Sequence, residues 1–163
     1  MESTALPLAI LLAPCVLAGC LESGGSEPSP GNASELFGSW TVVAAQVTPK
    51  KDRIDLGGLI YEGKAFAENR RKQYLGIVFV FEEGGRLTVE KKMGPFSGSQ
   101  YGRWRLVSRN GQRWILDLQS QAEGTWEKQE LTWTRKDEFG MADEDEDCAV
   151  RLHFWRTRTG CGQ

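Results

Sequence analysis

Apolar and polar positions alternate along most of the chain after about residue 40, which predicts β-strands. The clearest segment is Leu75–Glu82, where Phe79 and Phe81 fall on one face and Val78 and Val80 on the other. Further strand-like segments are Trp40–Val47, Arg86–Met93, Tyr101–Val107, Arg113–Gln119, Lys128–Arg135 and Ala149–Arg156. One more strand is expected within Gln121–Trp126.

Turn residues separate these segments at short intervals. Gly84-Gly85 predicts a hairpin between the second and third strands, and Asn110-Gly111 predicts another turn. Regular short strands with turns between them favour an antiparallel barrel or sandwich, and closure of a barrel removes unpaired sheet edges. The expected fold is therefore all-β, an antiparallel up-and-down β-barrel of about eight strands.

The segment Thr48–Tyr74 fits this pattern least. Its first half is polar, Gly57-Gly58 interrupts any element there, and Ala65–Tyr74 predicts a short helix. Long connections in compact domains are often functional. Two interpretations stay open, a lid over the mouth of the barrel and a solvated insertion. The basic run 70–72 is either a charged helix face or a contact with anionic lipid head groups.

An apolar stretch, Ala5–Leu17, has the length of a signal-peptide core and ends in Leu17-Ala18-Gly19-Cys20. This ending resembles the bacterial lipobox, which implies cleavage after residue 19 and lipidation of Cys20. The alternative is an ordinary secretory peptide. Residues 20–34 are rich in Gly, Ser and Pro, which predicts a flexible tether. The expected location is the bacterial cell envelope, lipid-anchored, with the outer membrane facing the periplasm favoured and the cell surface as the alternative.

The totals exclude several function classes. The formal charge of −2 and the isoelectric point near 5.6 argue against a nucleic-acid binder. The single histidine, His153, has no Ser or Cys nucleophile motif beside it, so no catalytic site, metal or cofactor is expected. The acidic run 143–147 lacks the spacing of a calcium loop and is expected to be a solvated loop. Cys148 and Cys161 either form a disulfide or remain apart.

A family resemblance rests on four motifs in order: Gly38-Ser39-Trp40, Ile77-Val78-Phe79-Val80-Phe81, Gly102-Arg103-Trp104 and Ile115-Leu116-Asp117-Leu118. Together they resemble the lipocalin and calycin-like families, and in particular small bacterial lipocalin-like domains. The resemblance implies a barrel over residues 35–158, with 159–163 as a tail. It also implies that Gly38 and Trp40 close one end, and that Arg156 or Arg158 packs over Trp40.

The expected function is non-enzymatic binding of a small apolar ligand inside the barrel. The residues expected to line that interior are Phe79, Phe81, Trp104, Trp114, Leu116 and Trp133. The alternative is a cell-envelope protein-interaction module whose barrel core is solid. The expected partners are the membrane, through Cys20, and either a small hydrophobic ligand or an envelope protein.

Overall fold

The computed structural model describes residues 33–93, 96–122 and 124–157. The leader, Cys20 and the tether up to residue 32 lie outside the described residues, as do Arg158, Cys161 and the C-terminal tail. The lipidation site, the disulfide and the domain limits therefore stay predictions.

The described chain contains ten strands and one helix. In chain order they are β1 (Gly38–Pro49), β2 (Arg53–Leu56), β3 (Leu59–Glu62), α1 (Gly63–Tyr74), β4 (Val78–Phe81), β5 (Arg86–Met93), β6 (Phe96–Asn110), β7 (Arg113–Ser120), β8 (Trp126–Arg135), β9 (Glu138–Glu144) and β10 (Cys148–Arg156). The expected all-β fold is confirmed.

Eight of these strands form a closed antiparallel barrel. Strands β4 to β10 are neighbours in chain order, and β1 closes the ring between β10 and β4. Trp40 of β1 lies opposite Arg156 of β10 and, on the other side, opposite Phe79 of β4. The turns that follow β4, β6 and β8 lie at the end where β1 begins, which we call the lower end. The upper end carries the turns after β1, β7 and β9.

One strand was predicted at the wrong place. Residues 121–122 and 124–125 lie in the connection between β7 and β8, and the eighth barrel strand is β9, which begins at Glu138. Phe139 and Met141 of β9 are buried, whereas Ala142, on the outer face of the strand, is exposed. Small and acidic residues on the outer face hid this alternation, because they made the segment look like a loop.

The insertion between β1 and β4 is folded into a hairpin and a helix. Strands β2 and β3 form a separate hairpin, and Gly57 and Gly58 make its turn with φ of 66° and 95°, in the left-handed region that favours glycine. The helix α1 follows directly and packs along β1. Ile54, Ala67 and Tyr74 of the insertion are buried in the core. Among the described residues, no helix is both long and apolar enough to cross a bilayer.

Candidate functional site

The lower end of the barrel is closed around Trp40. This side chain is fully buried, and its Nε1 donates a hydrogen bond of 2.7 Å to the Leu36 carbonyl. Gly38 precedes it with φ of 116°, where an added Cβ would meet the Arg156 guanidinium at 3.3 Å. The Gly-x-Trp motif therefore serves two needs, a left-handed backbone position and a tight approach by arginine.

Arg156 is the residue that covers this closure. Its guanidinium carbon lies 4.3 Å from the centre of the Trp40 ring, a cation–π contact. The same side chain donates to the carbonyls of Phe37 and Glu35 and pairs with Asp137 at 3.0 Å. Of the two arginines expected over Trp40, Arg156 is confirmed.

The six predicted interior residues are all buried and face into the barrel. They fall into two groups: Phe79, Phe81 and Trp104 on one side, and Trp114, Leu116 and Trp133 on the other. Trp104 contacts Phe81 with ring centres 5.5 Å apart, and Trp114 contacts Trp133 at 5.1 Å. The interior is thus lined as predicted, whereas ligand binding there is untested.

Two rings that were absent from the predicted lining join these groups. Phe154 lies 5.2 Å from Phe79, and Phe139 lies 4.7 Å from Phe154 and 5.3 Å from Trp133, measured between ring centres. A continuous series of touching aromatic rings therefore runs through the barrel. The inward position of Phe154 follows from its strand pattern, but Phe139 required recognition of β9.

One polar atom in this aromatic interior has no partner. Trp133 is 9% exposed, and its Nε1 makes no hydrogen bond to any described residue. A buried donor without an acceptor destabilises a fold by about 1–3 kcal/mol. Among the described residues, this indole N–H is therefore the one buried side-chain donor that an acceptor atom of a ligand or of water would satisfy.

At the upper end, the acidic run 143–147 binds the insertion to the barrel. Asp145 pairs with Arg70 of α1 at 2.5 Å, where Arg70 is buried and Asp145 is partly buried. Two further pairs, Glu144 with Lys50 at 2.5 Å and Asp147 with Lys51 at 2.9 Å, tie the start of the insertion to the same turn. The run was expected to be a solvated loop, but its first two residues belong to β9. The carboxylates of Glu144, Asp145 and Asp147 form the ion pairs with the insertion.

The surroundings of Asp143 and Asp145 shift the pKa values of these two groups in opposite directions. Burial raises the pKa of Asp143, and the nearby charge of Asp145 adds to this effect. Burial also opposes ionisation of Asp145, but hydrogen bonds from the Cys148 N–H and from Arg70 outweigh it and lower the pKa. Burial raises the pKa of the neighbouring Tyr74 hydroxyl and of the Cys148 thiol. No group of three or more metal-ligating side chains occurs within the described ranges.

The contacts of α1 place two residues of its basic run differently, and contact of the run with lipid head groups stays a prediction. Arg70 is buried against Asp145 and donates to the Tyr74 hydroxyl at 3.1 Å, whereas Arg71 pairs with Glu68 on the helix surface. Arg70 therefore fixes the helix to the barrel and is not part of a charged outer face. Whether α1 moves as a lid is untested.

The β2–β3 hairpin exposes the largest apolar side chains of the insertion. Leu59 and Ile60 are 63% and 67% exposed, and Leu56 and Tyr61 beside them are also exposed. Successive residues of a strand point to opposite faces, so the tip is apolar on both faces. We call these four residues the hairpin tip. The run of apolar residues on either side of Gly57-Gly58 could have revealed it in the sequence.

The remaining candidate, His153, lies on the outside of β10. Its Nε2 is 2.7 Å from a carboxylate oxygen of Glu138 on β9, a neighbouring strand. This contact is a cross-strand polar pair of the kind that stabilises sheets.

Compared with protein-family models, with curated proteins and with solved structures, the chain has no significant match. The barrel is consistent with the lipocalin-like architecture that the motifs implied, and family membership beyond that architecture is not shown.

Proposed function

We propose that this protein is a lipid-anchored component of the bacterial cell envelope that binds a protein partner through the hairpin tip. One observation carries the proposal: the barrel interior is occupied by touching aromatic rings, whereas large apolar side chains are exposed on the β2–β3 hairpin. Soluble proteins seldom expose such groups together, and exposed apolar patches mark interaction sites. The barrel serves as a rigid scaffold for the hairpin.

The shape of the hairpin tip favours a partner that encloses it. Leu59 and Ile60 are neighbours on β3 and point to opposite faces, yet both are exposed. A flat partner surface would cover one of these faces and leave the other in water. A cleft between two walls of a partner protein would cover both.

The anchor is the second part of the proposal. An acyl group on Cys20 would hold the mature chain at a membrane, and residues 20–32 would reach at most about 45 Å when extended. That reach lets the domain approach partners in the envelope. We expect incorporation of labelled palmitate by the native chain and its loss in Cys20→Ser.

A photo-crosslinking amino acid at position 60 of the full chain tests the hairpin tip in cells. We expect a discrete adduct with one protein at this position, and at least a tenfold loss of that adduct when Leu59→Ser is added. The matched control places the same amino acid at Lys136, an exposed residue in the β8–β9 turn at the lower end. The same adducts at both positions, or no adduct at position 60, would contradict the proposal.

A second candidate function is binding of a small ligand inside the barrel, and one observation favours it. The Trp133 N–H lies among apolar rings with no acceptor in the described part of the chain. An apolar ligand with a single acceptor oxygen would satisfy this donor and replace part of the ring packing. Such a ligand would require the rings around Trp114 and Trp133 to move apart.

A further inference from the structure

An open groove of about 520 Å³ lies on the outer wall of the barrel across β5, β6 and β7. It is separate from the hairpin tip and from the aromatic interior. The residues that line it are Arg86, Tyr101, Gly102, Arg103, Gln119, Ser120, Gln121 and Gly124. Among the described residues that line it, two are arginines and none is acidic.

The two arginines lie directly opposite each other in the sheet. Arg86 of β5 is paired in register with Arg103 of β6, and both point outward because Leu87 and Trp104 beside them are buried inside the barrel. Side chains in such pairs have Cβ atoms about 4.5–5.5 Å apart, and like charges in this position destabilise a sheet. An anion between the two guanidinium groups would remove this repulsion.

Carboxylates in the described part of the chain neutralise little of the positive charge of these two arginines. Arg86 contacts Glu82 at 3.0 Å, but both side chains are exposed, and such pairs contribute little. Arg103 makes no ion pair within the described ranges. Because the formal charge of the whole chain is −2, attraction of an anion here would come from the local arginine pair.

The rest of the groove suits a sugar ring. Tyr101 is 59% exposed and presents its aromatic surface beside Arg103. Gln119 and Gln121 supply amide groups that donate and accept hydrogen bonds, and Gln119 also holds the loop by donating to the Gly124 carbonyl at 2.6 Å. At Gly102 the strands β6 and β7 approach closely, since an added Cβ would lie 2.3 Å from the Gln119 carbonyl oxygen.

We propose that this groove binds an anionic carbohydrate. A phosphate or carboxylate group would lie between Arg86 and Arg103, because the planar guanidinium matches both anions with paired hydrogen bonds. The sugar ring would lie against Tyr101, with its hydroxyls at Gln119 and Gln121. This site is independent of the partner proposed for the hairpin tip.

Calorimetric titration of the full chain tests the groove with three probes at low salt. Trigalacturonic acid carries carboxylates, glucose 1-phosphate carries a phosphate, and maltotriose is neutral. We expect saturable binding of at least one anionic probe, with maltotriose at least tenfold weaker. Arg103→Gln should weaken the anionic probe about tenfold and Tyr101→Ala severalfold. Arg135→Gln, which changes an exposed arginine outside the groove, should leave it unchanged.

Thermal unfolding separates a damaged fold from a lost site. Arg103→Gln should not lower the melting temperature without ligand, because it removes the repulsion with Arg86. The anionic probe should raise the melting temperature of the native chain and not that of Arg103→Gln. Binding that is equal in Arg103→Gln, or equally weakened by Arg135→Gln, would overturn the proposal, as would the absence of binding by both anionic probes.

Discussion

Arg156 connects the two ends of the described chain through one side chain. It covers the Trp40 ring from β10 and donates to two carbonyls of the turn that precedes β1. Because these carbonyls precede the first strand, they have no partner in the barrel ladder. The arginine therefore both closes the barrel and satisfies the backbone at its entrance.

Arg156→Lys should destabilise the fold although it keeps the charge. Lysine has no planar fork, so it cannot cover Trp40 and reach both the Phe37 carbonyl and Asp137. Hydrogen bonds to charged groups typically contribute about 1.5–3 kcal/mol, and we expect a loss of about 1–3 kcal/mol in the free energy of unfolding. Urea unfolding measures it. Arg135→Lys, at an exposed arginine, is the control, and an equal effect of the two changes would contradict this role.

At the residue scale, the sequence predicted the inward positions well where strands alternate strictly. Phe79, Phe81, Trp114 and Trp133 are buried as expected. Large apolar side chains at alternate positions of a strand lie on one face of the sheet, and the register that buries them directs that face into the barrel. The unsatisfied N–H of Trp133 could not be predicted, since it depends on what lies around the ring.

The insertion shows what was predictable at the element scale. The composition of Ala65–Tyr74 predicted α1, which begins at Gly63. The β2–β3 hairpin was missed because its strands have four residues each, too few for a period to stand out. The attachment of α1 to the acidic turn was missed as well, since Arg70 and Asp145 are far apart in the chain and meet only in the fold.

Asp145 should stabilise the fold at neutral pH and lose this effect in acid. Its pKa in the fold is below the ordinary value of 3.8, so its stabilising contribution is present above that value and disappears as the pH falls through the lowered pKa. Asp145→Asn leaves the buried Arg70 without its partner, which should cost on the order of 3 kcal/mol at pH 7. Urea unfolding at pH 7 and near pH 2.5 measures both effects, and the deficit should shrink at the lower pH.

Asp143 provides the contrast within the same strand and turn. Its pKa in the fold is raised, so its charged form opposes folding, and this penalty grows as the pH rises above 3.8. Asp143→Asn should therefore increase stability at pH 7, where Asp145→Asn decreases it. Equal losses in the two variants would show that both carboxylates act only through hydrogen bonds.

At the scale of the whole molecule, the barrel separates an interior lined by aromatic rings from a varied surface. The architecture followed from strand number and turn spacing, because closure is the simplest way to pair every edge of such a sheet. The contacts among the interior rings did not follow, since they depend on how Phe139 and Phe154 join the two groups of rings. The groove on the outer wall was also beyond prediction, because it depends on the register between β5 and β6.

The most direct test of whether the interior rings leave room for a ligand is tryptophan fluorescence of the full chain during titration with a fluorescent fatty acid and a retinoid. Because the rings of the interior already contact one another, we predict no saturable quenching at micromolar concentrations, although the domain unfolds cooperatively. Saturable quenching that is lost in Trp114→Phe, with folding retained, would contradict this account. It would show that the barrel opens to carry a small apolar molecule.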